Sequence, residues 1–246
     1  MEVMERQPVG RLRSYLELCR ASNLPTVWTN VLAAALMSRA PGQPWPWLAS
    51  LAAGSSLTLT YLAGMALNDV LDVEEDRVKK PLRPIPSGRI SRAGAALCAA
   101  GLFVAGLTLL ALFCSWRSLG AGLALVVTVY LYDRLHRRSA ATVLLMAGCR
   151  ALVFVVTALA VSGTVNRWVA IAAAVQFGYI VTLTAVARWE KAATRSFKVP
   201  PIPWLLAGVS VVDGILVGVL VGPAWLAAGL AGAALTRVFQ ARVRGD

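Results

Sequence analysis

Histidine occurs once in this sequence, at His136, and the four cysteines, Cys19, Cys98, Cys114 and Cys149, lie far apart with no C-x-x-C pair. Histidine-rich metal sites, histidine-based triads, thiolate zinc sites and a disulfide framework are therefore without support. Charge is scarce as well. Asp, Glu, Lys and Arg make up 15% of the 246 residues, against 58% hydrophobic ones. So little charge over such a length does not suit a soluble domain and reads as a multi-span membrane protein. No secretory signal is visible, because Arg11, Arg13, Glu17 and Arg20 interrupt the first apolar stretch.

What is present is a series of apolar segments at about 23–39, 46–68, 93–114, 118–133, 140–162, 167–187, 202–221 and 223–240. A bilayer crossing takes roughly 17–25 residues, so eight spans are expected, the first and fourth being marginal in length. Ahead of them, Leu12, Tyr15, Leu16 and Cys19 share one helical face and arginines the other. Residues 1–22 thus read as an amphipathic segment lying in the membrane interface. The net charge of +12 would suggest nucleic acid in a soluble protein. Here the positive-inside rule absorbs it, since 20 of the 24 Lys and Arg fall on the side holding both termini and the 69–92, 134–138 and 188–200 loops. Both termini are expected in the cytoplasm and nucleic acid is not expected as a partner. No soluble insert divides the bundle, so residues 1–246 form one domain. Small residues such as Ala99, Ala100, Gly101, Gly229 and Gly232 suit close helix packing in lipid.

Negative charge is concentrated instead of spread. Five of the twelve carboxylates lie between Asp69 and Asp76, directly after the second apolar segment, and Lys79 and Lys80 follow. Asp69, Asp72 and Asp76 are spaced i, i+3, i+7 and would line one face of a helix. Converging carboxylates repel unless a cation sits among them. Hard divalent ions suit oxygen ligands, and Mg²⁺ commonly shares its shell with substrate phosphates. Lys79, Lys80, Arg83 and Arg89 would offer charge and hydrogen bonds to phosphate oxygens. A solvated juxtamembrane helix explains the composition equally well, but not the spacing together with the basic tail. Acid for metal, base for phosphate and an apolar bundle for a hydrocarbon tail suggest a lipid diphosphate substrate.

The stretch from Asn68 through Lys80, followed by "KKPLRPIPSGRIS" from Lys79 to Ser91, resembles the first aspartate-rich motif and basic loop of the UbiA superfamily of intramembrane prenyltransferases. The "YLYDRLHRR" stretch from Tyr130 to Arg138 resembles a Tyr-containing helix end of that family. The resemblance implies an all-helical transmembrane bundle around a central cavity open to the cytoplasmic side. It implies Mg²⁺ as cofactor, and a prenyl diphosphate whose group passes to a small acceptor, often an aromatic ring. Carried over by position, Asn68, Asp69, Asp72 and Asp76 would form the catalytic metal–diphosphate group, with the three aspartates as metal ligands. Lys79, Arg83 and Arg89 would bind diphosphate, and Asn30 matches an Asn that in the family often faces the phosphate site.

The chain departs from the family where a second aspartate-rich motif is due. Thr184 to Lys198 contains no aspartate, and Glu190 stands alone among Arg188, Lys191, Arg195 and Lys198. In one reading Arg188, Lys191 or Arg195 binds diphosphate directly, oriented by Glu190. In the other, the protein binds an isoprenoid or lipid phosphate without turning it over, within a metabolite biosynthesis or export system. Eight spans rather than the usual nine would open one side of the bundle or invite a membrane-protein partner. In these departures the chain resembles an EboC-like subgroup of bacterial inner membranes.

Two charges lie inside spans. Arg150 and Asp213 are each ten or eleven residues from the cytoplasmic face, about 15–17 Å deep at ~1.5 Å per residue. A lone charge there costs at least ~3 kcal/mol, so the two are expected to pair, as a structural clamp or as a grip on a polar group of the acceptor. Tyr61, two turns before Asp69, points to the same face, and Tyr132 and Tyr179 offer ring faces to a cation. Asp133 is expected to pair with Arg134 or Arg137.

Overall fold

The computed structural model describes residues 10–40, 42–136, 139, 141–192 and 201–242; for residues 190–192 it describes the backbone. Every apolar segment of the sequence forms a helix. The helices are α1 (Arg11–Leu18), α2 (Leu24–Ser38), α3 (Trp47–Leu71), α4 (Val73–Lys79), α5 (Arg92–Phe113), α6 (Trp116–Leu135), α7 (Thr142–Val161), α8 (Arg167–Ala192), α9 (Pro201–Leu220) and α10 (Leu226–Arg242). Among the described residues there is no strand.

Six of the helices, α3, α5, α6, α7, α8 and α9, are long and apolar enough to cross a bilayer. The expected first and last spans correspond to α2, with 15 residues, and α10, with 17. At ~1.5 Å per residue these are roughly 22 and 25 Å long, short of the ~30 Å hydrocarbon core.

Helix α2 occupies the middle of the bundle, touching α3, α7, α8, α9 and α10. It carries Thr26, Thr29 and Asn30 among its buried residues. A helix surrounded by protein needs no continuous hydrocarbon surface, and that permits both its shortness and its hydroxyl and amide groups. The outer helices show the reverse pattern. On α5, Leu97, Val104 and Leu112 face outward, as do Ile215 and Val219 on α9, an apolar surface suited to lipid.

Side chains close the exposed helix starts. Ser91 Oγ accepts the Gly94 amide at 3.0 Å at the head of α5, and Ser115 Oγ accepts that of Ser118 at 3.2 Å at the head of α6. Asn166 Oδ1 accepts from Trp168 and Val169, while its Nδ2 donates to the Met37 carbonyl at 2.7 Å, tying α8 to α2.

Helix α10 meets α9 backbone to backbone at Gly229 and Gly214. A Cβ on Gly229 would stand 2.6 Å from Gly214 Cα and from the Ser210 carbonyl oxygen. Gly229→Leu is expected to lower the thermal unfolding midpoint in detergent, at a cost of about 1–3 kcal/mol for overpacking. Gly120→Ala, where an added Cβ meets nothing within 4 Å, is the comparison that should leave the midpoint in place.

The amino-terminal segment differs from expectation at Cys19, which is buried apart from the rest of its face. Leu12, Tyr15 and Leu16 are exposed, whereas Ser14 and Leu18 of α1, and Cys19 after it, are buried. Leu18 and Cys19 pack with Ala66, Val70, Val73, Ile85, Ile90 and Ala95. The chain leaves α1 through Arg20, whose φ of 46° is left-handed, and this sharp exit turns Leu18 and Cys19 inward. An arginine there costs roughly 1 kcal/mol or more, so surrounding contacts must hold it.

Candidate functional site

The acidic stretch is not one straight helical face. Helix α3 ends at Leu71 and α4 begins at Val73, with Asp72 between them at φ −92°, ψ 2°. Backbone bonds from Asp72 N to Asn68 O and from Asp76 N to Asp72 O, both 2.9 Å, keep the two helices coupled across the bend. The bend sends Asp69 and Asp76 inward together and Asp72 elsewhere. The charges of α4 follow its dipole, with Glu74, Glu75 and Asp76 in the first turn and Arg77 and Lys79 in the last.

Asp69 and Asp76 are 4% and 6% exposed. One guanidinium joins them: Arg83 Nη1 donates to Asp69 Oδ1 at 3.1 Å and to Asp76 Oδ2 at 2.6 Å. A second arrives from before the first span. Arg20 Nη2 donates to Asn68 Oδ1 at 3.2 Å and to Asp69 Oδ1 at 3.0 Å. Sequence reasoning missed Arg20, because its left-handed backbone and its partners 48 and 49 residues away leave no local signal.

Arg83 is aimed by its loop. Ile85 and Ile90 are buried against α1, α3 and α5, the Ile90 amide donates to the Pro84 carbonyl at 3.1 Å, and Gly88 makes the reversal at φ 75°. That φ favours glycine, since it lacks the Cβ that clashes there. Arg89 is placed differently from the expected phosphate contact. It donates to Glu17 Oε2 on α1 at 2.6 Å and to the Leu82 carbonyl at 2.8 Å, fastening loop to helix. Lys79 pairs with Glu75 at 2.6 Å on the exposed side of α4.

Asp72 turns toward α6, with Oδ2 3.4 Å from His136 Nε2. Asp133 does not reach for Arg134. It is 5% exposed and accepts from Asn68 Nδ2 at 3.3 Å. The last turn of α6 points this acid into the bundle, where Asn68 is within reach; Arg137, the other expected partner, lies outside the described residues. Its sidedness was the available signal, as it ends an apolar span on the same face of the bundle as the acidic stretch.

Among the described residues, no three Asp, Glu, His or Cys side chains stand close enough to share one ion. Arg20 and Arg83 instead hold the carboxylates, so the acids form a cation-binding cluster whose present cations belong to the protein. Its donors are hard oxygens, the ligand type that Mg²⁺ takes.

Deeper in the bundle, Arg150 and Asp213 are joined, but through Asn30 and not by the direct ion pair expected. Arg150 Nη1 donates to Asn30 Oδ1 at 2.8 Å, and Asn30 Nδ2 donates to both carboxylate oxygens of Asp213 at 2.9 and 2.8 Å. Gln176 Nε2 adds a 2.7 Å bond to Asp213, and Thr26 Oγ1 accepts from Arg150 at 2.9 Å. Asn30, expected near phosphate, thus faces the bundle's interior network. An amide between the two charges satisfies both while α2 stays the central helix. A crevice lined by Thr29, Leu32, Val217, Trp225 and Gly229 reaches Asp213 between α2, α9 and α10.

Tyr61 donates to the Arg20 carbonyl at 3.4 Å, supporting the left-handed turn. Tyr179 donates to the Leu205 carbonyl at 2.7 Å, and Tyr132 stacks on His136 with centroids 5.5 Å apart. Arg188 is exposed near the end of α8; the side chains of Glu190 and Lys191, and all of Arg195, lie outside the described residues.

Residues 26–243 match the UbiA prenyltransferase family. The chain is 42% identical over 98 residues to a digeranylgeranylglyceryl phosphate synthase of Ignicoccus hospitalis, covering 39% of this chain and 30% of that protein. It is 36% identical over 104 residues to the Methanococcoides burtonii protein of the same name, covering 40% and 37%. These matches span about a third of each relative's length. Among solved structures, a UbiA homolog from Archaeoglobus fulgidus bound to DMAPP and Mg²⁺ superposes with a TM-score of 0.61 at 19% identity, covering 95% of this chain and 89% of that one. The same homolog bound to GPP and Mg²⁺ gives 0.60 at 18%, covering 93% and 86%. That likeness carries the fold.

Proposed function

This chain belongs to the UbiA prenyltransferase family and is an integral membrane protein, and from that premise we propose that it transfers a prenyl group from a prenyl diphosphate to a small acceptor, with Mg²⁺. The observation that carries this is the buried acid–guanidinium cluster of Asn68, Asp69, Asp76, Arg20 and Arg83 at the inner end of α3. Asp69 and Asp76 would hold the ion from the α3–α4 side and Asp72 from the α6 side, once the ion draws them together in place of the guanidinium. When bound, Mg²⁺ neutralises charge on the departing diphosphate as a Lewis acid.

The protein's own groups do the remainder. Arg20 and Arg83, now on carboxylates, are placed to donate to phosphate oxygens once the ion takes over Asp69 and Asp76. Arg89 and Glu17 keep the loop and α1 together, so that Arg83 stays aimed. The apolar bundle receives the hydrocarbon tail. By charge, Arg188, Lys191 and Arg195, with Glu190 among them, would give the diphosphate a further basic group, and the network of Asn30, Arg150 and Asp213 would face the acceptor, with Tyr61 bracing Arg20. The relatives' name puts a glyceryl phosphate lipid beside aromatic rings as an acceptor class.

We place the protein in the plasma membrane with both termini cytoplasmic, where the exposed Leu12, Tyr15 and Leu16 of α1 would lie in the interface. The absence of aspartate from residues 184–198 supports a second reading, a membrane protein that binds an isoprenoid or lipid phosphate without transfer.

The test is diphosphate release by the purified protein, given Mg²⁺ and geranyl, farnesyl or longer diphosphates with either acceptor class. Transfer is expected to fall roughly 10²–10³-fold in Asp72→Asn, the range for losing one group that stabilises developing charge. Mg²⁺-dependent binding with no release from any diphosphate supports the second reading instead.

A further inference from the structure

Asp133 has one carboxylate oxygen that nothing accounts for. Oδ1 accepts from Asn68 Nδ2, yet among the described residues the buried Oδ2 has no hydrogen-bond partner. An unpartnered buried carboxylate oxygen is unfavourable and calls for an explanation. Exchanging the oxygen and nitrogen of the Asn68 amide would not supply one. Its Oδ1 already accepts from Arg20 at 3.2 Å, so the amide is pinned with Nδ2 toward Asp133.

The end of α6 is also fastened to the acidic stretch by a second route. The His136 ring has Nδ1 3.0 Å from the Asp133 carbonyl oxygen and Nε2 3.4 Å from Asp72 Oδ2, and it stacks on Tyr132. The single imidazole of the sequence therefore links the Asp72 carboxylate to the main chain of α6 at Asp133.

We propose that Asp133 is a further carboxylate ligand of the divalent-cation site, contributed by α6, with His136 holding Asp72 alongside it. This rests on the reading that the cluster takes Mg²⁺. It moves the missing negative charge from the 184–198 stretch, where Glu190 is the sole acid, to the other side of the acidic cluster. The orphaned Oδ2 is then a donor atom awaiting its ion.

Mn²⁺ is the probe, titrated into the purified full chain in detergent, with free Mn²⁺ read by electron paramagnetic resonance. Wild type is expected to bind one Mn²⁺. Asp133→Asn is expected to weaken it roughly 10- to 100-fold, the range seen when groups around a metal are removed. Asp133→Ser is a second neutral replacement should the asparagine variant fail to fold. Asp133→Glu, which keeps the charge, should bind more tightly than either. Glu74→Gln, whose carboxylate pairs with Arg77 on the exposed face of α4, should bind as wild type. Unchanged Mn²⁺ binding in both neutral variants overturns the role of Asp133 while leaving the cation site standing. Wild type that binds no Mn²⁺, alone or with geranyl diphosphate, overturns the site itself and this ligand with it.

Discussion

Arg83→Ala is expected to unfold at a markedly lower temperature than the parent protein in metal-free detergent, and to recover most of that loss when Mg²⁺ is added. Among the described residues Arg83 is the ion-pair partner of Asp76 and one of two guanidiniums on Asp69. Both carboxylates are nearly withdrawn from solvent, with side chains 5% and 8% exposed. Removing one partner of a buried ion pair costs about 3–5 kcal/mol, because the remaining charge is left uncompensated. A divalent ion that binds the folded state returns RT ln(1 + [L]/Kd), about 2.7 kcal/mol at a hundredfold excess over Kd. The variant should therefore gain more from Mg²⁺ than the parent does, since the parent carries its own cation in the site. An equal shift in both proteins, measured by thermal unfolding with and without Mg²⁺, contradicts a cation site at Asp69 and Asp76. Prenyl transfer should not recover with stability if, as proposed, Arg83 also donates to phosphate, because Mg²⁺ cannot replace those hydrogen bonds.

The second large effect belongs to the interior network. Arg150→Met leaves Asp213 with neutral partners, the amides of Asn30 and Gln176 among them, in the middle of the bundle. The expected loss is again about 3–5 kcal/mol, read as a lower unfolding midpoint or a failure to purify as a single species. Arg150→Met with Asp213→Asn removes both charges and should be more stable than Arg150→Met alone. The double variant separates a structural clamp from a grip on the acceptor. If it is stable and transfers prenyl groups at the parental rate, the network holds helices together and nothing more. If it is stable and slow, the network acts on the acceptor.

The parts of the molecule that repeat along the chain were legible from sequence. Apolar runs forecast α3 and α5 through α9 closely, because a lipid-facing helix must be apolar along most of its length. The density of carboxylates between Asp69 and Asp76 marked the cluster, since so much negative charge beside an apolar run is expensive to place at random. Helix α2 was harder. Its enclosure by protein relaxes the demand for length and hydropathy that makes a span readable, so the most central helix gave one of the weakest signals. The bend at Asp72 was also hidden. The i, i+3, i+7 spacing assumes a straight helix, and a change of direction at one residue separates Asp72 from Asp69 and Asp76.

Long-range partners lay beyond the reach of spacing arguments. Arg20 reads as a charge that interrupts an apolar stretch, and only the fold carries it to Asn68 and Asp69. The pairing of Asp133 with Arg134 was the local choice; burial against Asn68 is a tertiary one, and Arg137 lies outside the described residues. Depth put Arg150 and Asp213 at one level and suggested a direct ion pair; it does not reveal that Asn30 stands between them. The basic stretch from Arg188 to Lys198 leaves the described residues at Glu190, so its part in binding remains a proposal from charge.

Calorimetric titration of the purified protein with geranyl thiolodiphosphate, an unreactive mimic of a prenyl diphosphate, tests the central claim most directly. Binding should require Mg²⁺, and Asp69→Asn and Asp76→Asn should each weaken it while remaining folded. Binding that is equally tight in EDTA, or unaffected by either substitution, would mean that these acids do not hold the diphosphate through a metal ion.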